Sequence, residues 1–308
     1  MKNFFSRFIS KFVPAVQIIP DDLALLPLSS AEQITAVGYL RCKFGSATVD
    51  QLNIPADLKE KIALLCRTFP AGVTEYDLTY RDYILSFLTD PLCVKIKYAE
   101  LSENNGCEFL RSGGEWVAVQ FTKVTALLAD ACDGKIYFNR NTLYFSCFAS
   151  DFPLPVEFNN RIWKSAEHYY QAQKFSQTPG LQGVPSVYEA VFNASTPDEA
   201  RAIAEQNLSR EDKKFWSRAS RRFMFKAESL NYKFHPRSEI RQLLYATENL
   251  ELINESSNLF WGARRDTGGG NLLGKALMQM RDSRGDCSIL ELLWKADECF
   301  EFESDYYD

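Results

Sequence analysis

The sequence predicts an α+β protein in two domains. One is a mainly helical C-terminal domain with a small sheet, and the other a separate N-terminal domain of mixed helix and strand content. Three observations predict it. The 308 residues exceed the common single-domain size, and 46% hydrophobic with 14% aromatic content is enough for one large core or two modest ones. In the second half, two short strand-like runs give way to a succession of helical patterns. Asp133-Gly134 precedes a new strand at residues 135–138, which sets the boundary, with no internal repeat or low-complexity linker to mark it otherwise. The expected parts are residues 1–135, residues 136–290 and an acidic C-terminal tail over residues 291–308.

Taken in order, Phe4, Phe5, Phe8, Ile9 and Phe12 gather on one side of a helical opening segment. Arg7 and Lys11 interrupt any leader-like core, so the segment reads as docking on the protein itself or as a membrane-surface anchor. Residues 31–44 and 56–69 carry helical apolar spacing, punctuated by Pro55 and Pro70. Residues 93–98 and 116–121 alternate or cluster β-branched and aromatic residues, as strands do. The turns Asn104-Asn105-Gly106 and Gly113-Gly114 separate them. This part carries no recognisable chemistry, which leaves stabilisation, placement or an unidentified protein partner as its role.

The second part opens with strand candidates at residues 143–148 and 154–158. A helix-like run then covers residues 163–175, with Ser165 as N-cap. Pro197 starts another helix through residue 206, with Asp198 and Glu199 near the positive end of its dipole. Helices over residues 211–232 and 237–246 follow. The turn Gly268-Gly269-Gly270 leads into a last helix at residues 271–281.

A formal net charge of −5 and a pI near 5.4 argue against bulk nucleic-acid binding, though not against a local basic pocket for one nucleotide. No apolar run approaches the ~20 residues needed to span a bilayer, so the chain reads as soluble, without a transmembrane segment. Cysteines at 42, 66, 93, 107, 132, 147, 287 and 299 form no CxxC pair and read as reduced thiols in a cytoplasmic setting. His168 and His235 are the only imidazoles, too few for a multi-histidine site, so neither a metal nor a cofactor is expected.

The chemistry concentrates in two segments. In the run from Trp163 to Phe175, Glu167, Gln171 and Lys174 fall at i, i+4 and i+7 and share one helical face, while Tyr169, Ala172 and Phe175 form another. A carboxylate and an amine among Trp163, Tyr169, Tyr170 and Phe175 fit either a lined pocket or an ion pair on a half-solvated face. In the second segment, Trp261-Gly262 precedes Arg264, Arg265, Gly269 and Asn271. Glycines, two guanidiniums and a helix N-terminus could bind a diphosphate, though the segment taken alone reads first as a flexible turn with solvated arginines. Trp216, flanked by cations that include Arg221 and Arg222, can stack on a base or pack into a core. Cys147 reads as a structural thiol before a nucleophile, with only His168 or His235 as an imidazole base.

In this order the segments resemble the NADAR family of YbiA-like and RibX-like proteins. The likeness runs through Phe145-Ser146-Cys147-Phe148-Ala149, the block from Trp163 through Glu167-His168 and Gln171 to Lys174-Phe175, Trp216, Glu255-Ser256, Trp261-Gly262, Asn271 to Gly274, and Leu277-Met278. It covers roughly residues 138–283. The resemblance implies a YbiA-like fold and an N-glycosidase acting on ribose joined to nitrogen. Its substrate would be ADP-ribose on guanine, a related nucleotide, nucleic-acid-linked ADP-ribose or a riboflavin-pathway intermediate; a nucleotide-binding module without turnover is the alternative.

On that resemblance Glu167 does acid–base or stabilising work and Lys174 acts covalently, through a Schiff base, or electrostatically. Phe145, Ser146, Cys147, Trp163, His168, Tyr170, Gln171 and Gly262 are expected to line the substrate site. Trp216 and Trp261 would stack, and Arg264, Arg265, Gly269 and Asn271 would cradle phosphate. Two positions depart from the family. Asn258 stands where an aspartate is usual three residues before the Trp-Gly pair, and Cys147 replaces the usual asparagine. Asn258 therefore occupies a catalytic position with a group that cannot take a proton; Asp266 is a candidate substitute.

Overall fold

The computed structural model describes residues 31–45, 47–158, 160–177, 185–216, 233–234 and 238–283. The aromatic opening segment, the acidic tail, His235 and the stretch containing Arg221 and Arg222 lie outside them. The chain divides into two compact units, residues 1–136 and 137–308. No helix among the described residues is long and apolar enough to cross a membrane.

The first unit runs α1 (Ala31–Lys43), α2 (Ala56–Leu65), α3 (Leu78–Leu85), α4 (Pro91–Glu103), β1 (Cys107–Ser112), β2 (Glu115–Gln120) and α5 (Thr122–Cys132), and the division from the second unit falls within β3 (Lys135–Phe138). β1 and β2 are antiparallel, with Cys107 opposite Gln120 and Ser112 opposite Glu115. The two-residue turn between them needs positive φ at both positions, and Gly113 and Gly114 supply 54° and 96°. The first helix and the strand at 116–121 lie where the sequence puts them, while α2 stops at Leu65 instead of residue 69.

Residues 93–98 are helical, not a strand. Asp90 caps α4 by accepting hydrogen bonds from the Leu92 and Cys93 backbone N–H groups, and Pro91 occupies the first turn. The misleading feature is Lys97, whose alternation with Val94, Ile96 and Tyr98 mimics a half-exposed strand. It is 0% exposed. Its ammonium donates to Glu100 of the same helix at 3.1 Å and to Glu108 of β1, and Lys43 of α1 reaches Glu100. The Tyr39 and Tyr80 hydroxyls donate to Glu100 and Glu108. Burial opposes the Lys97 charge, yet the two carboxylates hold it well above the usual lysine range. Burial would likewise raise Glu100, but Lys43 and Lys97 pull it down to about 2.

In the second unit, the end of β3 is followed by a 3₁₀ turn at Ser146–Phe148, β4 (Val156–Phe158), β5 (Arg161–Trp163), α6 (Ala166–Gln177), α7 (Pro185–Asn193), α8 (Pro197–Asn207), α9 (Arg210–Trp216), α10 (Glu239–Tyr245), β6 (Glu251–Asn254) and α11 (Leu272–Asp282). β4 pairs antiparallel with β5, and β3 with β6 makes a second two-stranded sheet. The unit is thus helices with small sheets, as the sequence indicates.

Residues 143–148 form turns rather than a strand. The Asn139 N–H donates to Thr142 Oγ1 at 2.7 Å, the Asn141 N–H donates to Asn139 Oδ1 at 2.8 Å, and Tyr144 adopts a φ of 62°. Side-chain turn chemistry overrides the apolar run. Trp163 ends β5, so the helix begins only at Ala166, after the Ser165 cap accepts the His168 N–H at 3.3 Å.

Helix α6 sits in the core. Tyr169, Ala172 and Phe175 pack with Val191 of α7, Ala200 and Ala204 of α8, and Trp216 of α9. Trp163 meets Tyr169 and Phe192 edge-on, at 5.3 and 5.0 Å between ring centroids. With that face fixed in the core, the opposite face of α6 is turned to a cavity.

Candidate active site

The cavity in the second unit has a volume of about 870 Å³. Helix α6 contributes Glu167, Tyr170, Gln171 and Lys174 to its wall, and Trp216 and Trp261 add aromatic surface. Asn258 completes the group of expected residues that line it.

Glu167 is only 4% exposed, and a carboxylate so enclosed needs donors. Ser150 Oγ donates to Oε2 at 3.1 Å and Gln171 Nε2 to Oε1 at 2.8 Å. Arg201 Nη2 lies 3.5 Å from Oε1. Arg201 is in turn held by Asp198 at 3.1 Å, and Asp198 by Arg140 at 2.7 Å. Two donors and a nearby guanidinium offset the cost of enclosing this carboxylate, and its negative form would face developing positive charge. Lys174 Nζ lies 5.3 Å from the Tyr170 ring centroid, and Tyr170 meets Trp261 edge-on at 6.2 Å.

Asn258 shapes its own loop. Its Oδ1 accepts from the Phe260 and Trp261 N–H groups at 3.2 and 3.4 Å. That orients Trp261 toward the cavity and uses the amide oxygen as a turn former.

Other expected site residues lie elsewhere. Phe145 and Trp163 are core residues, and Cys147 and Ser146 belong to the 3₁₀ turn without reaching the cavity wall. Gly262 is required by close approach, because a Cβ there would lie 2.4 Å from the Asn254 carbonyl oxygen. Asn271 is committed to β6: Oδ1 accepts from the Asn254 N–H at 3.0 Å and Nδ2 donates to the Leu252 oxygen at 2.9 Å. Arg265 pairs with Glu255 at 2.7 Å and stacks on Tyr137, Arg264 is exposed, and Gly269 packs on the Gly262 and Ala263 backbone. Among the described residues these three do not line the cavity, so the phosphate cradle expected at that loop is not assembled there.

His168 is 0% exposed and also faces away from the cavity. Its Nδ1 lies 2.8 Å from Ser165 Oγ and its Nε2 3.3 Å from the Ala194 carbonyl oxygen, an arrangement suited to neutral imidazole with its proton on Nε2. Burial lowers its pKa, with the Ala194 hydrogen bond opposing. The unfolded chain therefore takes up a proton at a pH where the folded chain does not. The stability contribution is complete above the unfolded value of ~6.5 and falls as pH drops below it. NMR titration of the imidazole protons, assigned with His168→Gln, is expected to give a midpoint below 6.5; a midpoint at or above it contradicts this packing.

A family model described as the NADAR domain matches residues 137–283, the stretch that builds this cavity. N-glycosidase Npun_R5314 of Nostoc punctiforme is 31% identical over 148 residues, 48% of this chain and 90% of that protein. N-glycosidase YbiA of Escherichia coli is 32% identical over 139 residues, 45% of this chain and 79% of that protein. The chain belongs to the NADAR family. Riboflavin biosynthesis protein VVA0006 of Vibrio vulnificus is also similar, at 32% identity over 152 residues, 48% of this chain and 38% of that protein.

In this NADAR chain, the charged rim of the cavity escaped sequence reasoning. Arg140 and Asp151 come from loops after β3, Asp198, Arg201 and Glu205 from α8, and Lys213 from α9. The one available signal was the Asp198 to Arg201 spacing at i, i+3 on a capped helix, which reads as an ordinary surface pair.

Proposed function

We propose that the NADAR unit is an N-glycosidase that hydrolyses the bond between a ribose carbon and a base nitrogen. The observation that carries the reading is the buried, donor-held Glu167 carboxylate in a cavity walled by Tyr170, Trp216 and Trp261. Departure of the base leaves an oxocarbenium-like sugar. An ionised carboxylate stabilises that charge or takes a proton from attacking water. Trp216 and Trp261 offer stacking surface for the base, worth ~1 to 3 kcal/mol per stacked base. Lys174, on the same face of α6, is our candidate for the covalent or electrostatic role; as a nucleophile it must be neutral when it attacks. Because Arg264, Arg265, Gly269 and Asn271 do not line the cavity, whereas Arg140 and Lys213 do, Arg140 and Lys213 are our candidates for phosphate.

Our preferred substrate is ADP-ribosylated guanine, and a ribosylated pyrimidine of riboflavin biosynthesis ranks second, supported by the names of relatives. Chromatography of free base released from each, with borohydride in parallel samples to trap a sugar on Lys174, tests the reading. Base release from either supports it, and binding without release favours the second reading, a nucleotide-binding module.

Asn258 motivates that second reading, because an amide cannot move a proton. Asn258→Asp keeps the acceptor for the Phe260 and Trp261 N–H groups and adds a carboxylate. It is expected to raise the rate of base release about tenfold or more. An unchanged rate shows that position 258 serves the turn alone.

A further inference from the structure

One polar atom of a cavity-lining residue has no use in the account above. Gln171 is 3% exposed, and its Nε2 is committed to Glu167 Oε1 at 2.8 Å. Its Oε1 is buried and, among the described residues, has no hydrogen-bond partner. The amide orientation follows from its neighbour: turned over, Oε1 would face the Glu167 carboxylate, acceptor against acceptor. An acceptor left buried and unpaired costs ~1 to 3 kcal/mol, so such atoms call for a functional explanation.

We infer that Gln171 Oε1 accepts a hydrogen bond from the 2′-hydroxyl of the substrate ribose and makes the site selective for ribosyl over 2′-deoxyribosyl compounds. The inference rests on the proposal that Glu167 acts at the anomeric carbon. The two oxygens of the Gln171–Glu167 pair are then neighbours, as are the two carbons they address. Gln171 Oε1 sits one amide width from the nitrogen that touches the carboxylate, and the 2′-hydroxyl is borne on the carbon next to the reacting one. A hydroxyl donor meets Gln171 Oε1 without disturbing the Nε2 bond to Glu167. The ribose hydroxyl supplies the bond this buried acceptor lacks, and a 2′-deoxy sugar leaves it unpaired, so the site favours the hydroxylated ligand. Hydrogen bonds at this hydroxyl also strengthen as the sugar approaches its transition state.

The test compares two ligands on two proteins. Isothermal titration of ADP-ribose, and of its analogue lacking the 2′-hydroxyl on the reacting ribose, is made with the wild-type chain and with Gln171→Met, which preserves side-chain length without the amide. The wild type is expected to prefer ADP-ribose by about 10- to 100-fold, and Gln171→Met to bring the two within about threefold. The ratio isolates the hydroxyl, because any disturbance of Glu167 by the substitution acts on both ligands alike. An equal affinity in the wild type, or a ratio that survives Gln171→Met, overturns the inference, as does failure of the wild type to bind either ligand. Failure of the glycosidase reading is seen separately: no base release from substrates that nevertheless bind with the hydroxyl preference removes that reading and leaves the Gln171 contact standing.

Discussion

Glu167→Gln is expected to lower the rate of base release by about a hundred- to a thousandfold, while the folded unit survives. The substituted amide has nearly the same shape, and its oxygen can still accept from Ser150 or from Gln171. What is lost is the negative charge. A neutral amide neither compensates an oxocarbenium-like sugar nor takes a proton from water, and removing a single preorganised electrostatic partner commonly costs ~3 to 4 kcal/mol of transition-state stabilisation. Folding responds less, because the charge is buried and Arg201, its cation at 3.5 Å, is still neutralised by Asp198. Initial rates of base release and the thermal midpoint, measured on the same preparation, check both halves. Turnover unchanged from the wild type removes Glu167 from the mechanism; a midpoint that collapses shows the residue to be structural.

The second large effect is expected in the first unit. Lys97→Met should destabilise that unit by ~3 to 5 kcal/mol, the usual cost of breaking a buried ion pair from one side. Methionine fills the space, but Glu100 and Glu108 then share only Lys43, which lies 3.6 Å from Glu108. The native network has its own pH signature. Because the Glu100 carboxyl is held down at about 2, its contribution is fully present above the unfolded value of ~4.3 and is lost as pH falls toward 2. Urea denaturation of the intact chain, followed by a probe in the first unit, should show a lower midpoint for Lys97→Met at pH 7 and a smaller difference from the wild type near pH 3. Equal midpoints at pH 7 would mean that the network contributes little net stability.

Both predictions turn on residues whose legibility in the sequence differed for physical reasons. The α6 face carrying Glu167, Gln171 and Lys174 was readable because a 3.6-residue period and a serine cap act locally, and the intervening Tyr169, Ala172 and Phe175 announce the buried side. Lys97 was not readable: a lysine in a core looks like a solvent-facing position, and the period it suggests is that of a strand. Its burial is tolerable only because Glu100, three residues on, and Glu108, 11 residues on in β1, both accept its charge, with Lys43 from α1 balancing the second carboxylate.

The same distinction separates the parts of the candidate site. Asn271 and Gly262 signalled a ligand-binding loop, since small and amide residues near glycines suit phosphate. Their use is instead structural: the Asn271 side chain hydrogen-bonds the backbone of β6, and Gly262 lets its backbone approach Asn254. Those contacts join segments 8 to 19 residues apart and carry no local pattern. The charged rim of Arg140, Asp198 and Arg201 was hidden for a related reason. Each member alone is an ordinary surface residue, and only the packing of α8 beside α6 brings Arg201 to Glu167.

The measurement that bears most directly on the central claim is identification by mass of the two products the intact chain makes from guanine-linked ADP-ribose. The account predicts unmodified guanine and ADP-ribose, the pair that results only when the ribose–nitrogen bond is cleaved by water. A fragment cut at the diphosphate, a base altered by deamination, or recovery of both this compound and the ribosylated pyrimidine intact would contradict it.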